Sequence, residues 1–164
     1  MVTILQSMIV GMGEMQVSAD PSTVLTCLGL GSCIGLCIYD PTARVAGMVH
    51  IVLPSSSEAQ SATVAKFADT AVPELVQKVV DLGAVKTRLC AKMAGGAQMS
   101  LSPGADSFFK TGARNAEATR STLDSLRIPL TAADVGGNHG RTVKFYVESG
   151  RVSVSTGGGE IIEL

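Results

Sequence analysis

The segment IGLCIYD-PTA-RVAGMVHIVL constrains this chain more than any other, because two apolar runs flank an Asp-Pro pair. Asp at the first position and Pro at the second suit a type I turn over Asp40–Ala43, so Ile34–Tyr39 and Val45–Leu53 read as the strands of a hairpin. With that turn, Tyr39 faces Arg44, Cys37 faces Ala46 and Cys33 faces His50. Directly opposed residues place their Cβ atoms roughly 4.5–5.5 Å apart on one face of the sheet. A thiol and an imidazole are therefore expected to meet.

Cys33 follows Gly29-Leu-Gly31-Ser32, where the two glycines let backbone and substrate approach closely. An adjacent imidazolium lowers a thiol pKa from roughly 8.5, and the same histidine can return a proton to a leaving group. Amides of Gly31, Ser32 and Cys33 are candidates for holding an oxyanion, worth about 2.7–4 kcal/mol per donor where one is used. Taken singly, Cys33 would read as a packing residue and His50 as a satisfied strand histidine. Their pairing favours a nucleophile and its base, Cys33 and His50.

Elsewhere, Val2–Val10, Val24–Leu28, Thr87–Met93 and Leu130–Val135 read as strands, and Val143–Val147 with Arg151–Ser155 as a final hairpin. Val64, Phe67, Ala71, Leu75 and Val79 recur at helical spacing, with Pro73 expected to kink or divide that helix. Ala113, Ala116, Arg120, Leu123 and Leu126 mark a second helix, and Gln98–Lys110 an irregular loop. Strands in runs with two main helices indicate an α+β fold. Residues 1–164 read as a single domain, with 156–164, rich in glycine, as a flexible tail.

A net charge of −1 leaves no field to draw the chain to nucleic acid. The first basic residue is Arg44, so no secretory n-region is evident. No uninterrupted apolar run is long enough to span a bilayer, so membrane insertion is not expected and the location reads as cytoplasmic. Cys27, Cys33, Cys37 and Cys90 are then expected as thiols, and their spacing matches no paired C-x2-C zinc pattern. No metal or cofactor is called for.

"LGLGSCIGLCIYDPTARVAGMVHIVLP", "KFADTAVPELVQKVVDLGA", "AKMAGGAQM", "TGARNAEA" and "DVGGNHGR", in that order, closely resemble the CheD family of chemoreceptor glutamine deamidases. The resemblance implies an α/β sandwich with mixed and antiparallel sheets. It also implies hydrolysis of glutamine side chains on methyl-accepting chemotaxis receptors, and in some members of receptor methyl esters. Cys33 takes the family's nucleophile position and His50 its base. A CheC-type phosphatase is an implied partner, and a non-catalytic regulator that binds receptors or that phosphatase is the alternative. Where the family usually has a histidine-orienting threonine, this chain has Cys27, with Thr26 one residue earlier. Cys27, Thr26 or another group is left to orient His50.

Overall fold

A computed structural model describes residues 2–58, 63–99 and 110–164. Its strands are β1 (Gln6–Ile9), β2 (Met15–Ser18), β3 (Thr23–Leu30), β4 (Ile34–Asp40), β5 (Val45–Ile51), β6 (Cys90–Gly95), β7 (Leu130–Val135), β8 (Arg141–Tyr146), β9 (Val152–Thr156) and β10 (Ile161–Glu163). The two main helices are α1 (Ala68–Asp81) and α2 (Thr111–Ser125). Most of the loop expected at Gln98–Lys110 lies outside the described residues.

The strands form two five-stranded mixed sheets, ordered β2-β5-β4-β6-β7 and β1-β3-β8-β9-β10. The α+β class expected from the sequence holds. Period-2 alternation along β4 explains the layering. Ile34, Leu36 and Ile38 join Leu75, Val79 and Leu123 in one core, between the first sheet and the helices. Cys33, Cys37 and Tyr39 join Leu25, Phe145 and Val154 in the other, between the sheets. Every residue of β4 and β5 is buried, which is why both read as nearly continuous apolar runs.

Three expectations change. The hairpin register is β4–β5 with Asp40 opposite Val45, Tyr39 opposite Ala46, Cys37 opposite Met48 and Gly35 opposite His50. The connection is Pro41–Arg44 and not a tight turn closed at Ala43, because the Arg44 amide donates to the Asp40 carbonyl with Arg44 at φ +54°. Next, α1 runs undivided through Pro73. That proline removes one ladder donor near the start of the helix, while Val72, Leu75, Val76 and Val79 stay buried on the sheet. Last, residues 156–164 are not a loose tail: β10 pairs antiparallel with β9. The Gly157–Gly159 stretch supplies the turn, with Gly159 at φ +82°, and the Thr156 amide bonds the Glu160 carbonyl.

The hairpin's closed end is held by Asp40, whose side chain is wholly buried. Its Oδ1 accepts the amides of Thr42 (2.9 Å) and Ala43 (3.1 Å), and its Oδ2 accepts that of Val85 (2.8 Å) and Arg88 Nη2 (2.8 Å). Burial pushes its pKa up, but Arg88 and the three amides outweigh burial and hold the carboxyl well below the usual carboxylate range. A lowered folded pKa means stabilisation that is complete above the unfolded value and is lost as pH falls through the folded one. Breaking a buried ion pair costs about 3–5 kcal/mol, and because the Arg88 side chain is 39% exposed we discount this to about 2–3. Asp40→Ala should thus lower the urea-unfolding free energy by about that amount at pH 7, with the gap to the parent narrowing below about pH 4. An unchanged midpoint at pH 7 would refute this role for Asp40.

Candidate active site

Cys33 sits at the mouth of β4, at the end of the Gly31–Cys33 loop that leaves β3. β3 carries an irregularity between Cys27 and Leu30, and Gly29 there has φ +60°, a conformation that favours glycine. All three loop carbonyls are engaged. Ala97 N–H donates to Gly31 O and Gly96 N–H to Cys33 O, each at 2.9 Å, while Asn115 Nδ2 donates to Ser32 O at 2.9 Å. No hydrogen bond among the described residues uses the amides of Gly31, Ser32 or Cys33. The thiol residue itself is 8% exposed.

The Gly-Gly pair at 95 and 96 explains how the loop is backed. A Cβ at Gly95 would overlap the Cys33 carbonyl oxygen, and Gly95 has φ +118°. The DVGGNHGR stretch braces this pair from behind. Gly136 N–H donates to Gly95 O (3.0 Å) and Gln98 N–H to Gly137 O (2.8 Å). The buried Arg141 joins Asp134 through Nε (3.0 Å) and Gly95 O through Nη1 (3.2 Å). A cleft of about 560 Å³, lined by Gly29, His139, Gly140 and Glu160, opens alongside.

His50 lies on β5 opposite Gly35. The observed register moves it two residues from the expected partner, so its side chain keeps the face that Cys33 uses. The pair is diagonal, an arrangement in which Cβ atoms stand roughly 7–8 Å apart or somewhat less. No hydrogen bond joins the two side chains. Instead His50 Nδ1 lies 3.1 Å from Val10 O. A carbonyl only accepts, so Nδ1 carries the proton and Nε2 keeps its lone pair. Val10 is itself fixed, its amide donating to Thr26 O at 2.8 Å. On the main chain, His50 N–H donates to Glu14 O and Gly13 N–H to His50 O, both at 3.0 Å.

Burial dominates both titrations. It pushes the His50 pKa down, with the Val10 carbonyl and Glu14 opposing it, and it pushes the Cys33 thiol up. Burial thus favours a thiol and a neutral imidazole at rest over the thiolate–imidazolium pair expected from the sequence.

Neither candidate for orienting the histidine bonds to it. Cys27 turns into the core between the sheets, where its Sγ meets Met48 Sδ at 3.4 Å. Burial, then the neighbouring Cys33, push its thiol up to about 12. Thr26 points to the opposite face of β3 and its hydroxyl meets that of Ser7 at 3.1 Å. Sequence reasoning missed Val10, because a backbone carbonyl carries no residue signature. It also passed over Asn115 and Arg141, although both stand within the motifs TGARNAEA and DVGGNHGR. Among the described residues no three His, Cys, Asp or Glu side chains converge as metal ligands, and no helix is long and apolar enough to cross a membrane.

Residues 52–156 match the family model described as CheD chemotactic sensory transduction, a segment that begins just after His50. The "Probable chemoreceptor glutamine deamidase CheD" of Symbiobacterium thermophilum is 49% identical over 91% of this chain and 92% of its own length. The protein of the same description from Geobacillus kaustophilus is 46% identical over 97% of this chain and 98% of its own. The "Chemoreceptor glutamine deamidase CheD" of Halalkalibacterium halodurans is 45% identical, covering 90% and 91%. Among solved structures, the Bacillus licheniformis hypothetical protein YfiH matches with a TM-score of 0.45 at 12% identity, over 84% of this chain and 60% of that one.

The close approach at Gly95 is open to direct measurement. Gly95→Ala should cost about 1–3 kcal/mol, since the methyl overlaps backbone at a left-handed position. Gly157→Ala, with nothing within 4 Å of the added carbon, should stay within about 0.5 kcal/mol of the parent. Equal unfolding midpoints for the two variants would contradict the packing described here.

Proposed function

The chain belongs to the CheD family, and from that premise we propose that it hydrolyses glutamine side chains of methyl-accepting chemotaxis receptors to glutamate, using Cys33 as nucleophile and His50 as base. One observation carries the assignment to these two residues: His50, its Nδ1 committed to Val10 O, keeps Nε2 unengaged among the described residues on the face that Cys33 shares. Support for an oxyanion site comes from the Gly31–Cys33 loop, whose carbonyls are all taken while its amides meet no acceptor among the described residues.

In this reading Nε2 accepts the thiol proton as Cys33 Sγ bonds to the carboxamide carbon. The resulting oxyanion is held by loop amides, with Gly31 and Ser32 the candidates beside Cys33 itself. His50 passes its proton to the nitrogen, the C–N bond breaks, and ammonia leaves a thioester. Water then gives a proton to His50 and its oxygen to the carbonyl carbon, and Cys33 departs to regain its proton. Hydrolysis of a receptor glutamate methyl ester would use the same groups, with methanol leaving in place of ammonia. With both groups neutral at rest, His50 takes the thiol proton in the step in which Cys33 Sγ attacks its electrophile.

The product gains a carboxylate, so each event raises the mass of a receptor cytoplasmic fragment by about 1 Da and releases one ammonia. Mass spectrometry of such a fragment should show this with the parent, and at least about a hundredfold less with Cys33→Ser or His50→Ala. The base must be neutral to act, and burial lowers its pKa. The acid limb of the rate should therefore fall below about pH 6.5, with no loss between there and neutrality. A receptor fragment that binds without any mass change would instead favour the non-catalytic regulator.

A further inference from the structure

We infer that Asn115 is a positioning residue that sets the spacing of Cys33 and His50. The inference rests on the reading of that pair given above and extends it to a residue of α2. The β4–β5 ladder ends at the pair Ile34–Ile51. Beyond it the strands would next bring Cys33 and Val52 together, but they part. The amide of Val52 donates to Lys66 O at 2.9 Å, and the Cys33 carbonyl accepts from Gly96. Into the fork comes the Asn115 side chain, wholly buried. Its Nδ2 donates to Ser32 O and to Val52 O, both at 2.9 Å.

Those two acceptors flank the active pair, one immediately before Cys33 and the other two residues after His50. Two carbonyl oxygens cannot bond to each other, so a donor with two hydrogens is needed to tie them. A primary amide is such a group, and its two acceptors also fix its orientation, with Oδ1 turned away. That Oδ1 is buried with no partner among the described residues. An apolar side chain would avoid burying an unpaired acceptor, but it could not bridge the fork. α2 thus reaches the site through the Asn115 side chain. Asn115 is buried behind the loop, so it acts on the reaction through Cys33 and His50 and does not touch substrate.

The test measures how strongly Cys33 reactivity depends on His50. Iodoacetamide labelling of Cys33 in the full chain, located by peptide mass spectrometry at pH 7.5, is compared between the parent and His50→Ala. The same comparison is made in an Asn115→Ala background. A base held near the thiol should give a parent ratio of about tenfold, and removing Asn115 should reduce it below about twofold. This ratio does not follow from lower stability or from greater exposure of Cys33, since both members of each comparison share them. Receptor deamidation should fall in kcat, with KM within about twofold. If Asn115→Ala does not fold by circular dichroism, Asn115→Ser decides, since its shorter hydroxyl has one hydrogen and cannot bridge both carbonyls. A ratio that stays near tenfold without the amide overturns the inference and leaves the Cys33–His50 reading standing. A ratio near one in the parent overturns that reading, and the inference with it.

Discussion

The site hangs on a buried carboxylate at the far end of its own hairpin. Asp40 receives amides from the connection it precedes and from Val85, together with the Arg88 guanidinium. By gathering Thr42 and Ala43 it determines where β4 ends and β5 begins, and hence which residues face each other along their whole length. A slip of one residue would turn His50 to the helical core while leaving Cys33 between the sheets. An anion committed to so many donors makes such a slip expensive. It gives the hairpin one register at its closed end and delivers the side chains of Cys33 and His50 to one face at its open end.

The open end needs separate support, because the ladder stops before it reaches Cys33. Support comes from three directions. Backbone amides of Gly96 and Ala97 hold the loop from β6, the Asn115 amide holds it from α2, and the Val10 carbonyl holds the imidazole from the segment after β1. The two sheets and a helix thus all contribute to a site whose two central residues come from one hairpin. Arg141 links the layers once more, rising from β8 to Asp134 and to the carbonyl of Gly95.

Much of this arrangement was legible in the residues. The apolar runs around Asp40-Pro41 announced the hairpin, and period-2 alternation placed Cys33 and His50 on a common face. The exact opposition was not legible, because Arg44 adopts a left-handed conformation that nothing in its side chain signals. An even shift of register preserved the common face of Cys33 and His50. The terminal strand was overlooked for another reason. Gly157-Gly-Gly159 resembles a linker, and only Ile161 and Ile162 hinted at β10. The orienting group for His50 was invisible in principle, since it is main chain. The expected opposition of Cys33 and His50 also encouraged an ion pair at the site, whereas burial, which only the folded chain reveals, favours neutral partners.

That neutrality bears on how such a protein endures oxidants. Peroxides attack sulfur mainly as thiolate, and the first product, a sulfenic acid, leads on to irreversible acids. Cysteines poised as anions are therefore vulnerable whenever they wait for substrate. Here burial favours the protonated form of Cys33, and it pushes the Cys27 and Cys37 thiols still further from ionisation. In the proposed reaction the sulfur gains its nucleophilicity only while an electrophile is seated beside His50, so its reactivity would be confined to the moment of use.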